Sequence, residues 1–238
     1  MGEKFSGKVT WLGHAMFAIE SKSGRRLILD PFIEHNPKFP KGYDLSRVDV
    51  IAPTHGHSDH FGVSGVDLAK KTGATVVCVF ELALWLDSKG VQKASGMNKG
   101  GTQVVADFAI HMTQAVHSAG TPLSDQNPPS DPCGFVVEVD SFRIYHAGDT
   151  AVFSDMALIG ELLRPDVALL PIGDFYTMGP ASAAKACELL KVPRVIPMHW
   201  GTFPALTGTP KALRAEIQKR GGSTEVVELA PGGSWPDS

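Results

Sequence analysis

From Gly101 the apolar pattern of this chain changes to a period of two, while on both flanks short apolar runs alternate with helical stretches. That switch limits the fold more than any other feature. The period of two runs through "TQVVADFAIHMTQAVHS" and "GFVVEVDSFRIYHAGDT", with Asp140-Ser141 as a turn, and predicts a run of antiparallel strands. Before it, "KVTWLGHAMFAIES" and "RLILDPF" read as two strands joined at the polar turn "SKSGRR". "VDVIAPT" and "ATVVCVF" read as buried strands, each leading into a helix, "GVSGVDLAKKTG" and "ELALWLDSKG". After it come helix "SDMALIGELLR", strand "DVALLPIG", helix "PASAAKACELLK", strand "RVIPMHW", helix "PKALRAEIQKRG" and a last strand "TEVVELAP". This predicts an α/β protein of two mixed halves, its sheets covered by helices. At 238 residues, with no linker or repeat, residues 1–238 are expected to form one domain. The stretch "SAGTPLSDQNPPSDPC" suits no regular element and reads as a long loop bordering a site.

Charge and cysteine usage narrow the function. A formal net charge of −3 gives no electrostatic case for nucleic acid or an anionic membrane. Cys78, Cys133 and Cys187 are scattered and lack CxxC spacing, which argues against a disulfide framework and for a reducing compartment. No apolar stretch approaches the roughly 20 residues of a membrane span, and no secretory signal is read. "MGEKFS" satisfies a Met-Gly-x-x-x-Ser acylation pattern, read here as a chance match. A cytoplasmic protein without stable membrane association is expected.

The chemistry concentrates in "IAPTHGHSDHFG". His55, His57, Asp59 and His60 fall within six positions where a strand gives way to a helix, the usual place for sites in α/β proteins. In an extended segment His55, His57 and Asp59 share a face, and His60 points elsewhere unless the backbone turns. One metal could take His55 and His57 while a second takes Asp59 and His60. Imidazole and carboxylate suit zinc, manganese or iron, and the lack of thiolate argues against a closed structural zinc site. Two ligands per ion are too few. His117, Asp149 in "GDT" and His199 in "PMHWG" also end strands, so one sheet rim could gather them. His111 and His146 read as hydrogen-bonded structural residues, and His35 as part of a loop. His14, in "TWLGHAMF", is either a core histidine or points at the site from the first strand. Asp174 and Thr177, in "GDFYTMGP", precede Pro180 at the first turn of a helix and are either site residues or a connecting turn.

"THGHSDH", followed by His117, "GDT" and "PMHWG", resembles the metallo-β-lactamase superfamily. Within it, "VTWLGHA", "LDPF", "LPIGDFYTMGP" and "IPMHWGTFP" resemble the UPF0173 metal-dependent hydrolases. These are relatives of the L-ascorbate-6-phosphate lactonase and N-acyl phosphatidylethanolamine phospholipase D groups. The resemblance implies a four-layer αβ/βα sandwich with a dinuclear centre on the rim of its two sheets. It implies one ion on His55, His57 and His117, a second on Asp59, His60 and His199, and Asp149 bridging. Asp59, Asp149 and His14 are the catalytic candidates. Two divalent cations roughly 3.5–4 Å apart can hold an attacking hydroxide. The expected activity is hydrolysis of an ester, lactone or phosphodiester in a small, anionic substrate, and a homo-oligomer is admitted. An iron-dependent oxidoreductase or a non-catalytic metal-binding protein on the same fold are the alternatives. The intact two-metal set disfavours a mononuclear dioxygenase, no flavodoxin-like extension supports electron transfer, and the seven retained ligands disfavour a non-catalytic protein.

Overall fold

The computed structural model describes residues 5–119 and 130–236. The Met-Gly acylation pattern and most of the proline-rich loop lie outside them. Strands β1 (Lys8–Trp11), β2 (Phe17–Glu20), β3 (Arg26–Leu29), β4 (Val50–Ala52), β5 (Thr75–Val79) and β6 (Ala94–Met97) form most of one sheet. Helices α1 (Gly62–Thr72) and α2 (Phe80–Ser88) connect its later strands. The second sheet holds β7 (Thr102–Val105), β8 (Phe108–Gln114), β9 (Cys133–Val139), β10 (Phe142–His146), β11 (Val167–Pro171), β12 (Arg194–Met198) and β13 (Glu225–Val226). Helices α3 (Met156–Leu162), α4 (Pro180–Leu190) and α5 (Pro210–Lys219) belong to this half, and β14 (Ser234–Trp235) returns beside β1.

Each sheet is antiparallel through one part and parallel through the other, with β3 to β6 and β10 to β13 parallel. The period of two explains the layers. Along β9, Phe135, Val137 and Val139 enter a core shared with Phe17, Ile19 and Ile28 of the first sheet. Val136, between them, joins Ala183, Cys187 and Leu213 of the helices behind. The inner faces therefore meet sheet to sheet and helices cover the outer faces, as a four-layer αβ/βα sandwich requires. Phe17, Phe108 and Phe135 have no exposed surface. Each such side chain contributes about 1.5–3 kcal/mol relative to exposure.

The structure departs from the sequence reading at four elements. "KVTWLGHAMFAIES" is not one strand: it breaks between β1 and β2, where Gly13 (φ 90°) and His14 (φ 54°) turn the chain. "TEVVELAP" keeps only the two residues of β13 as strand. β6 and β14 went unread because each is short, and Gly96 and Ser234 weaken their β signal. Among the described residues no helix is long and apolar enough to cross a membrane.

Candidate metal centre

The parallel strands aim their C-terminal ends at one rim, where open α/β sheets place their ligands. His55 and His57 follow β4, Asp59 and His60 lead into α1, His117 follows β8, Asp149 follows β10 and His199 follows β12. His60 joins the others because the backbone turns: its amide and that of Phe61 both donate to the His57 carbonyl at 3.0 Å. His14 arrives from the other side, on the turn between β1 and β2. Its carbonyl accepts from the His199 amide (3.0 Å) and the Trp11 indole (2.9 Å), which locks two left-handed residues together across the sheets.

Three overlapping groups result, in each of which the ligand atoms lie within 4.8 Å of one another: His55, His57 and His117; His14, Asp59, His60 and His199; and His55, His60 and Asp149. Oδ2 of Asp149 sits 3.1 Å from Nε2 of both His60 and His199, and 3.6 Å from Nε2 of His117. Asp149 is thus central to the cluster. Nε2 of His55 is 2.9 Å from Nδ1 of His57, and Nε2 of His14 is 3.2 Å from Oδ2 of Asp59.

The buried donors are poorly satisfied by one another. Nε2 of His60, both ring nitrogens of His199 and Oδ1 of Asp149 have no aligned hydrogen-bond partner among the described residues, despite the close approaches. Leaving such atoms buried costs about 1–3 kcal/mol each. The donor set is all nitrogen and oxygen, because the Cys133 thiol instead donates to the Thr54 carbonyl at 3.2 Å. Converging, buried, unpaired N and O donors fit a divalent cation.

A residue that sequence reasoning missed holds this arrangement. Asp30, fully buried after β3 with φ 45°, accepts from the Thr54 amide (2.6 Å), the Thr54 hydroxyl (2.9 Å) and His60 Nδ1 (2.8 Å). With its hydroxyl proton given to Asp30, Thr54 accepts from His55 Nδ1 at 3.1 Å. One carboxylate therefore sets the tautomer of two histidines and leaves Nε2 of each facing the cluster, as partners behind metal-binding histidines do. The available signal was an acid closing the apolar run in "RLILDPF". Gly148, before Asp149, has φ 63°, and a Cβ there would lie 2.6 Å from the Cys133 carbonyl, so only glycine lets the two loops close.

Charge is tightly coupled here. Burial lowers the pKa of His55, helped by the charge of His60, and burial likewise lowers His57 and His117. Burial opposes charge on His60 too, but Asp149 and Asp30 outweigh it and raise its pKa well above the ordinary value. Burial would raise Asp149 and Asp59. His199 and His60 overcome it at Asp149, the His14 hydrogen bond and His60 at Asp59, and both carboxyls fall below the usual range. His14 is lowered to about 4, first by burial and then by His199. Cations placed among these groups would take over the role that protons play without them.

Of the other histidines, His146 is buried and satisfied by the Ala15 carbonyl (2.8 Å) and the Gly148 amide (3.1 Å), and His111 meets the Thr102 hydroxyl (2.7 Å). Asp174 accepts from the Phe175 amide at 2.8 Å and serves the turn. Neither Asp174 nor Thr177 lines the cavity of about 960 Å³ above the cluster, whereas Tyr176 and His35 do.

The beta-lactamase superfamily domain model matches residues 8–199. A UPF0173 metal-dependent hydrolase of Solibacter usitatus is 50% identical over 229 residues, covering 94% of this chain and 97% of the relative. One from Archaeoglobus fulgidus is 46% identical over 230 residues, covering 96% and 98%. The solved structure of Igni18, a metallo hydrolase from Ignicoccus hospitalis, superposes with a TM-score of 0.84 at 33% identity, covering 98% of this chain and 99% of that one. The rim cluster and the two-sheet sandwich therefore sit in a known setting: this chain belongs to the beta-lactamase superfamily and, within it, to the UPF0173 metal-dependent hydrolases.

Proposed function

We propose that this chain is a single hydrolase domain working with two divalent cations, zinc or manganese, with iron also suited to its donors. His55, His57 and His117 would hold one, Asp59, His60 and His199 the other, and Asp149 would reach both. The observation that supports this reading is the set of buried, unpaired donors on His60, Asp149 and His199, which protein contacts leave unsatisfied. When bound, such cations lower the pKa of water and polarise a scissile carbonyl or phosphoryl group.

The chain's own groups then have distinct tasks. Asp149 fixes the spacing between the two halves of the cluster and balances their charge. Neutral His14 donates from Nε2 to Oδ2 of Asp59 and accepts at Nδ1 from the Thr202 hydroxyl, 3.1 Å away. It is buried and does not line the cavity, so it acts through Asp59 as a positioning residue. Asp59, partly exposed to the cavity, is the carboxylate placed to take and return a proton during bond cleavage.

The substrate is a small molecule cleaved at an ester, lactone or phosphodiester bond. Among the described residues no Lys or Arg lines the cavity. The anionic charge expected from sequence would therefore have to be met at the cluster alone. Free, buried Cys78, Cys133 and Cys187 suit the proposed cytoplasmic location. The test is metal content and turnover together. Zinc- or manganese-loaded protein should carry two ions per chain and hydrolyse bis-p-nitrophenyl phosphate or p-nitrophenyl acetate, and Asp149→Asn should abolish turnover. A wild-type protein that takes only one ion, or an Asp149→Asn variant with undiminished turnover, refutes the assignment.

A further inference from the structure

The cavity above the cluster has two unlike surfaces. It is lined by His57, Asp59, His117, Asp149 and His199 of the cluster and, apart from these, by the apolar side chains of Phe32, Val63, Tyr176, Phe203 and Pro204. Its charged lining groups other than histidines, among the described residues, are the acids Glu34, Asp59 and Asp149. Away from the cluster, no Lys or Arg among the described lining residues offers a fixed cation to a phosphorylated or polycarboxylate tail, whereas aromatic side chains reward an uncharged, apolar body.

The aromatic side chains are held in place from behind. Phe203 packs on the His14 ring (5.4 Å between centroids) and against Phe32 (6.5 Å), so both rings are seated on the site's own positioning residue. Tyr176 is placed by an unusual turn. Asp174 (φ 67°) and Phe175 (φ 59°) are consecutive non-glycine residues in the left-handed region, a conformation that persists only when its surroundings enforce it. Here the Tyr176 amide donates to the Asp174 carbonyl (2.7 Å), and the Asp174 amide to the Met178 carbonyl (3.0 Å). The Met178 amide in turn donates to the carbonyl of Thr150, the neighbour of Asp149 (3.2 Å). The turn holds Tyr176 at the mouth with 57% of its surface exposed, edge-on to the ring of Phe175 at 4.7 Å. Exposing so large a ring at a cavity rim, on strained backbone, serves no packing purpose.

We propose that Tyr176, Phe203 and Phe32 form a wall that binds the apolar, preferably aromatic, body of a neutral carboxylic ester or lactone, and thereby set substrate class. The proposal rests on the hydrolase reading above and narrows it. Water adds at the acyl carbon, the bond to the alkoxy oxygen breaks, and the carboxylate and alcohol form, with one of water's protons passing to the leaving oxygen and the other to solvent.

Two measurements test it. The first is independent of turnover: binding of 2-acetylnaphthalene, a neutral ketone that resembles the ester but cannot be hydrolysed, followed by its fluorescence in metal-loaded and chelator-treated protein. It should bind both, since the wall contains no metal-ligand contact. Tyr176→Ala and Phe203→Ala should each weaken it on the order of tenfold, while Tyr176→Phe, which keeps the ring, should restore it. Tyr176 is largely exposed, so its truncation leaves the core untouched. The second is turnover: kcat/KM for 1-naphthyl acetate should exceed that for ethyl acetate by on the order of 100-fold, mainly through KM, and Tyr176→Ala should shrink the ratio. Unchanged ketone binding in both alanine variants, or no preference for the naphthyl ester, overturns the wall. Ketone binding that follows the variants, in a two-metal protein that hydrolyses no ester, lactone or phosphodiester, leaves the wall standing and refutes the hydrolase reading instead.

Discussion

Asp30→Asn is the substitution that most directly probes how this cluster is built. It preserves size, and asparagine tolerates the left-handed backbone at φ 45°. What changes is one atom, from an acceptor to a donor. With the amide oxygen kept on the Thr54 N–H, the NH₂ group faces the Thr54 hydroxyl and His60 Nδ1, which now lie 2.9 and 2.8 Å from the carboxylate. His60 must then accept at Nδ1 and carry its proton on Nε2. The Thr54 hydroxyl, receiving from the amide, turns its own proton toward His55 Nδ1, 3.1 Å away, and reverses that ring as well. Both rings would present N–H groups where lone pairs are needed. Losing a partner behind a ligating histidine costs about 10–100-fold in metal affinity. That is roughly 1.4–2.7 kcal/mol per ion, and both ions should be affected.

Stability should move separately from affinity. Without metal, the bond from His60 to the Asp30 carboxylate is charge-assisted, and its loss is worth about 1.5–3 kcal/mol. The assay is a competitive titration of zinc against a chromophoric chelator, beside urea unfolding of chelator-treated protein and near-ultraviolet circular dichroism to verify the fold. Wild-type affinity at both ions in a natively folded variant would falsify the account of tautomer control. Loss only at the ion assigned to His60 would show that the Thr54 relay to His55 does not operate.

Three further expectations follow from contacts around the rim. A Cβ at Gly173 would lie 2.0 Å from the His199 carbonyl, so Gly173→Ala should destabilise the protein by about 1–3 kcal/mol or more in urea and cost the ion assigned to His199 before the other; full metal content with native stability refutes this. Lys38, whose pKa burial lowers, donates to the Trp200 carbonyl (2.8 Å) and lies 4.0 Å over the Trp200 ring; Lys38→Met should destabilise by about 0.5–2 kcal/mol, and an unchanged urea midpoint would show that this clamp on the residue after His199 is idle. Burial holds His14 at about 4 and lowers His55, His57, His117 and His146 from 6.5. Below 6.5 the unfolded chain therefore binds more protons at these groups, and their contribution falls as pH drops toward the folded values; His60, raised, has the opposite sign and loses its contribution as pH rises. The lowered carboxyls of Asp59 and Asp149 add a contribution that is lost only as pH falls below their ordinary 3.8, under this window. Chelator-treated protein should accordingly lose stability between about pH 6.5 and 4.5, and equal unfolding midpoints across that window would refute the balance.

What could be read in the chain, and what could not, divides by the range of the interaction. Strand ends are local: an apolar run, then a polar residue, marks where a side chain leaves the sheet, and His55, His117, Asp149 and His199 all announce themselves so. Parallel strands then carry those ends to one rim without further instruction. The parity of an extended segment, by contrast, left open whether His60 joins its neighbours, because the turn from Ser58 to His60 is enforced by the His57 carbonyl and not by residue preference. The break at Gly13 and His14 was invisible for a related reason. His14 is left-handed where it meets His199 and Thr202, nearly two hundred positions on, and no local pattern encodes such a partner. Asp30 and Thr54 are the sharpest case, since an aspartate and a threonine between apolar runs look like turn formers. Folding makes them the groups that decide which nitrogen of His55 and His60 holds a proton. Residue types and strand ends thus determine which donors gather, while the protonation that lets them bind a cation is determined between neighbouring strands, from the end of β3 to the end of β4. For that reason a substitution at Asp30, absent from the sequence-level ligand set, should disturb both candidate ions, while each ring nitrogen remains in place.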